Sequence, residues 1–86
     1  LEQAQATGSE TTLGTIYMSM GYAHRRNNNL AQAETYARKA EIIFHKFSNL
    51  PGLAQVWDNL GTVYLRQEKW DDALQYLKKA QEMRRV

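Results

Sequence analysis

The side chains best able to hold a metal or move a proton are His24 and His45, and their spacing serves neither task. No HxxxH or HExxH pattern brings two imidazoles to one helix face. Ser9, Ser19 and Ser48 have no adjacent base to activate a hydroxyl. Gly8-Ser9 and Gly14-Thr15 fall outside any G-x-x-x-x-G-K-[ST] phosphate loop. Asp71 and Asp72 are consecutive, so on a helix they point in different directions and fit the negative charge favoured at its first turn. Cysteine is absent, which excludes disulfides and thiolate ligands and permits a reducing compartment; the expected location is cytoplasmic. These residues imply no enzyme, no cofactor and no metal.

Arg25-Arg26, Lys78-Lys79 and Arg84-Arg85 are the basic clusters. Nucleic-acid binding would want them on one face with stacking aromatics between them. The aromatics instead fall at packing positions, and the net charge is only +2, so solvated helix faces are expected and no nucleic acid. No apolar run approaches the roughly 18 residues of a membrane span, and no basic-then-apolar leader opens the chain. Its 86 residues fit one small domain at most. With 43% hydrophobic and 23% charged residues and one proline, Pro51, the composition is that of a folded chain.

The elements that would position any site come from a repeat. Shifted by 40 residues, Leu13 meets Leu53, Gly21 meets Gly61, Arg26 meets Arg66 and Ala33 meets Ala73. Tyr36 likewise meets Tyr76, Lys39 meets Lys79, Ala40 meets Ala80 and Tyr17 meets Trp57. Most of the matched residues are small or apolar, at helical spacing, which marks packing.

Each unit reads as two helices. Leu13, Ile16, Tyr17, Met20 and His24 predict a helix over Thr11–Arg26, closed by Asn27-Asn28-Asn29. Ala33, Tyr36, Ala37, Ala40, Ile43 and Phe44 predict a second over Leu30–Phe47. Ser48-Asn49-Leu50-Pro51-Gly52 is the strongest stop-and-restart signal. Val56, Trp57, Leu60, Val63 and Tyr64 predict a third helix over Leu53–Gln67. Ala73, Tyr76, Leu77, Ala80 and Met83 predict a fourth over Trp70–Arg85, with acids in its first turn and Arg84-Arg85 in its last, as the helix dipole favours.

Trp57-x-x-Leu60-Gly61-x-x-Tyr64 followed by Ala73, Leu77 and Ala80 resembles the signature of the tetratricopeptide (TPR) repeat family. The first unit resembles it more loosely through Tyr17, Met20-Gly21, Ala33 and Ala40, with His24 where the family prefers Tyr. The period of 40 exceeds the family's usual ~34, which resembles the family's long-repeat variants. The resemblance implies an all-α fold: TPR-type antiparallel helix pairs stacked as a short right-handed α-solenoid. The expected division is residues 1–10 as the tail of a preceding repeat's helix, 11–50 as the first repeat and 51–86 as the second.

In such arrays the first helix of each unit lines a concave groove. The positions turned away from the Trp57/Leu60/Tyr64 stripe are Gln55, Asp58, Asn59, Thr62 and Arg66, with Thr15, Met18, Ser19, Tyr22 and Arg26 as their counterparts. The candidate partner-binding residues are therefore Asn59, Gln55, Asp58, Thr62, Arg66, Met18, Tyr22 and Arg26. Asn59 leads them, because an amide offers a donor and an acceptor to peptide backbone. The family's long-repeat members imply that same role. Its chaperone-type carboxylate clamp needs Lys and Asn where Met18 and Tyr22 stand. The expected function is a protein–protein interaction module binding a peptide or protein, within a larger adaptor or regulator. The alternative is a self-associating segment, a homo-oligomer joined through its apolar ends at Leu13, Ile16 and Tyr17 and at Tyr76, Leu77, Met83 and Val86.

Overall fold

The computed structural model describes the backbone of residues 2–85 and the side chains of residues 9–83. Leu1, Val86 and the side chains of Arg84 and Arg85, on which a dipole contact and an apolar end were expected, lie outside the described residues. The described chain is all-α: α1 (Glu2–Arg26), α2 (Leu30–Lys46), α3 (Leu50–Arg66) and α4 (Trp70–Arg85). α1 pairs with α2 and α3 with α4, α2 stacks on α3, and α1 meets α3 over a smaller area. The three-residue connections force each neighbour to run antiparallel, so α1 and α3 lie side by side in the same direction.

All three turns use one device. Asn28, Ser48 and Glu68 take left-handed backbone, with φ of 63°, 52° and 61°. After each, the next backbone N–H reaches back over the helix end: Asn29 to the His24 carbonyl, Asn49 to Phe44 and Lys69 to Tyr64, each at 2.8 Å. The left-handed residue itself donates to Arg25, His45 or Leu65 at 3.0–3.1 Å. This is the Schellman closure, which satisfies carbonyls that the helix leaves orphaned. Asn28 suits the left-handed region; Glu68 does not by itself, and its paired hydrogen bonds hold it there.

Two helix starts differ from the predicted ones. α3 begins at Leu50 rather than Leu53, because Pro51 sits in the first turn, where its missing N–H is not needed. The Asn49 side chain caps this start by accepting from the Gly52 N–H at 3.0 Å. α1 is unbroken from Glu2, so residues 2–10 continue the first helix where the tail of a separate one was expected. The stretch that aligns with Ser48–Gly52 is Gly8-Ser9-Glu10-Thr11-Thr12, which lacks both the asparagine and the proline. α2 and α3 each end one residue short of the predicted bound, at Lys46 and Arg66, with Phe47 and Gln67 as C-caps.

The core is a seam of small residues and large ones set against them. Ala33, Ala37, Ala40, Ala73 and Ala80 are buried, as are Phe44, Leu53, Val56, Trp57, Leu60 and Tyr64. Phe44 fills the space left by two glycines: a Cβ on Gly14 or Gly52 would lie 3.0 or 2.9 Å from its ring. Gly61 serves the α3–α4 crossing, where a Cβ would stand 2.6 Å from the Leu77 side chain. The repeat also appears in the cation–π contacts. Lys39 lies over the rings of Tyr17 and Tyr36, and Lys79 over those of Trp57 and Tyr76. His24, in the place aligned with Tyr64, is half-buried and stacks on Tyr36 at 5.4 Å, as Tyr64 packs on Tyr76 at 5.6 Å.

A polar network ties the pairs together. The Trp57 indole donates to Glu41 at 2.7 Å and the Tyr64 hydroxyl to Glu34 at 2.7 Å. Arg38 donates to the hydroxyls of Tyr64 and Tyr76. Burial and the bond to Glu34 push the Tyr64 phenol well above the ordinary tyrosine value. Burial opposes charge on Arg38, yet its bond to Tyr76 and the neighbouring Tyr64 and Glu41 outweigh that and raise its guanidinium further.

Candidate functional site

Where α1 and α3 run side by side, their facing turns enclose a groove of about 360 Å³. α1 contributes Met18, Ser19, Tyr22 and Arg25; α3 contributes Gln55, Asp58, Asn59 and Thr62. Three- and four-residue steps place each set on one face of its helix. The volume lies in the range of ligand clefts. Gly21 lets α1 pack closely on the α2 backbone, beside Asn59 of α3. A Cβ there would stand 3.2 Å from the Ala33 carbonyl and the Ala37 nitrogen, and 3.4 Å from the Asn59 amide nitrogen.

Six of the sequence-predicted residues therefore come together: Met18, Tyr22, Gln55, Asp58, Asn59 and Thr62. The other two stand beside the groove. Arg66 donates to the Arg25 carbonyl at 2.8 Å, which caps the end of α1 and fixes α3 against it. Arg26 lies over the Tyr22 ring at 5.7 Å, with Arg25 at 5.0 Å from the same ring. Two lining residues, Ser19 and Arg25, stand outside the candidates; the sequence places Ser19 on the groove face as the counterpart of Asn59, and sequence reasoning does not place Arg25 there at all. The signal for Arg25 was the three-residue step from Tyr22, but alignment of Arg26 with Arg66 drew attention to the neighbouring position.

Asn59 is the most informative side chain. It is 7% exposed, and neither its amide oxygen nor its amide nitrogen has a hydrogen-bond partner within the chain. Leaving such a group buried and unpaired costs about 1–3 kcal/mol, so a native protein that keeps one needs a reason. The Arg25 Nε is also buried without a partner, on a side chain that lines the same groove. Thr62 is already engaged, donating to the Asp58 carbonyl at 3.0 Å. Tyr22 is about half exposed and offers a ring face. The groove thus combines an amide with both hydrogen-bonding polarities, an aromatic face, a methionine and cationic groups at one end.

A second cavity, of about 420 Å³, lies on α1 among Ser9, Thr12, Leu13 and Ile16. No buried unpaired polar group lines it. Among the described residues no group of three His, Asp or Glu side chains is placed to hold a metal, and no helix is long and apolar enough to cross a membrane. His24 and His45 stay apart, one on Tyr36 and the other edge-on to Trp57 at 6.1 Å.

The tetratricopeptide repeat family model matches residues 12–85. No curated protein matches the chain, and no solved structure matches it. Domains of that family mediate protein–protein interaction and are typically non-catalytic scaffolds. Small residues at the helix crossings, a large aromatic and a tyrosine in α3, stacked antiparallel pairs and a match along most of the sequence lead to one conclusion: this chain belongs to the tetratricopeptide repeat family.

Proposed function

We propose that this chain is a peptide-binding module, a part of a larger adaptor or regulator, with residues 11–50 and 51–86 as its two repeat units. An extended segment of a partner protein lies in the α1–α3 groove, its backbone paired with the Asn59 amide. The observation that carries this reading is the buried amide with both atoms unpaired in the groove. A peptide bond presents one carbonyl and one N–H, which match the amide's donor and acceptor. Both Asn59 atoms are closed to solvent in the free chain, so groove side chains must move aside as the peptide enters. Met18 is flexible enough to do so and to repack on a peptide side chain. Gln55 and Thr62 edge the backbone path, and Asp58, Arg26 and Arg66 set its charge.

A random peptide library selected on the chain, followed by NMR shift mapping with the peptides recovered, tests this. Shifts centred on Met18, Tyr22, Asn59 and Thr62 are expected. Shifts confined to α2 and α4 would place the site elsewhere.

Exposed apolar side chains favour a second reading, self-association of copies. Leu13 and Ile16 on α1 are 39% and 47% exposed, and Trp70 and Leu74 on α4 are 59% and 68% exposed. Sedimentation over about a hundredfold concentration range decides it, because association follows mass action. A rising mass supports this reading, and a constant 10.0 kDa removes it.

A further inference from the structure

We infer that the peptide this groove selects carries an acidic side chain, and that Arg25 and Arg26 read it beside Tyr22. This deepens the groove reading and rests on it. The α1–α3 groove has two ends of different charge. Toward its middle lies its one lining carboxylate, Asp58. At the end where α1 and α3 finish, Arg25 lines the groove and Arg26 and Arg66 stand beside it. Three guanidinium groups against one carboxylate leave an excess of two positive charges at this site.

The ion pairs of Arg38 with Glu34 and Glu41, and of Lys46 with Glu10, lie elsewhere in the molecule. Arg66 gives Nη1 to the Arg25 carbonyl, which uses one of the five N–H groups a guanidinium carries. The Nε of Arg25, a groove-lining residue, is buried with no partner, although a buried charged donor left unpaired is more costly than a neutral one. Arg25 and Arg26 both lie within 6 Å of the Tyr22 ring, which restricts their rotamers before any ligand arrives. An ordered fork of N–H donors suits a planar carboxylate, and pre-ordering lowers the entropy lost on binding. Nucleic-acid phosphate could be drawn by the same charge, but Asp58 in the lining repels a polyanion that runs the length of the groove. A single Asp or Glu near one end of a peptide avoids that repulsion. The half-exposed Tyr22 ring would then cover an apolar residue next to the acid.

The test selects a random peptide library on the full chain and titrates recovered peptides, by fluorescence anisotropy, against parent, Arg25→Gln, Arg26→Gln, Arg26→Lys and Asn59→Ala. Asp or Glu should recur at one position, and changing it to Asn or Gln should weaken binding about tenfold. Arg25→Gln and Arg26→Gln should each weaken the acidic peptide and leave its amide analogue unaffected, Arg26→Lys should retain part of the affinity, and salt should reduce it. Arg26 is exposed, so its variants keep the test valid if Arg25→Gln melts early. Peptides that need Asn59 but show no preference for acid would overturn this inference and leave the groove reading standing. Recovery of no peptide that needs Asn59 would remove both. Tighter binding of a single-stranded oligonucleotide than of any acidic peptide would also overturn it.

Discussion

The indole nitrogen of Trp57 donates to the carboxylate of Glu41 at 2.7 Å, a bond from the third helix to the second that joins the two helix pairs. Its neighbours Glu34 and Arg38 complete the junction through Tyr64 and Tyr76. Forty residues on, Glu34, Arg38 and Glu41 align with Leu74, Lys78 and Gln81. The small residues of the packing seam repeat, but this polar network does not. The α2–α3 junction therefore has a chemistry of its own, and α4 presents a more apolar version of the same face.

Trp57→Ala should destabilise the chain by about 3–5 kcal/mol, as truncation of a large buried aromatic does. Trp57→Phe should cost less, and the Glu41→Ala change should matter less in that background than in the parent, because the shared hydrogen bond is already gone. Urea unfolding of the four chains measures the coupling. Simple additivity would mean that the bond to Glu41 contributes nothing.

Alkaline pH should expose Tyr64. Its phenol is held above the ordinary value of 10.0, so the folded state favours the neutral form. That contribution is complete below about pH 10 and is lost as pH rises from there toward the folded value. Tyr64→Phe should be less stable at neutral pH and should show a shallower alkaline decline than the parent. Parallel curves for the two chains would show that Tyr64 is not the group responsible.

Gly61→Ala sets two effects in opposition. The added methyl would press on the Leu77 side chain at 2.6 Å and on its backbone nitrogen at 3.2 Å, an overpacking worth about 1–3 kcal/mol. Alanine returns up to about 1 kcal/mol of helix propensity. Net destabilisation is expected, and Leu77→Ala should be milder in the Gly61→Ala chain than in the parent. Stabilisation by Gly61→Ala, read from the thermal midpoint, would mean that the crossing has room to spare.

Much of this was legible in the sequence, for physical reasons that differ from residue to residue. The apolar steps from Leu53 to Tyr64 and from Ala73 to Met83 marked α3 and α4, because burial on one face imposes that spacing. Ser48–Gly52 marked the second turn through Pro51 and Asn49. The third turn had no such sign at its centre: Glu68 is left-handed only because the Lys69 and Glu68 N–H groups close the helix end. Its position, 20 residues after Ser48 as Ser48 is after Asn28, was the available clue. The groove residues of α3 followed from taking the side opposite Trp57 and Tyr64. What could not be read was that Asn59 would be buried and unpaired, since that depends on how the helices around it pack in three dimensions. The Glu34–Arg38–Glu41 network was hidden for the same reason, because its partners lie on two other helices.

The most direct measurement compares Asn59→Leu with the parent in two readouts, calorimetric titration of a library-selected peptide and urea unfolding of the free chain. Leucine is similar in volume and carries no unpaired amide, so the free variant should be as stable as the parent or more stable, by up to about 1–3 kcal/mol. Peptide affinity should fall by about the same amount, roughly ten- to a hundredfold, because the backbone loses both hydrogen bonds. Unchanged affinity, or a loss of affinity that merely follows a loss of stability, would contradict a groove that keeps Asn59 unpaired for its ligand.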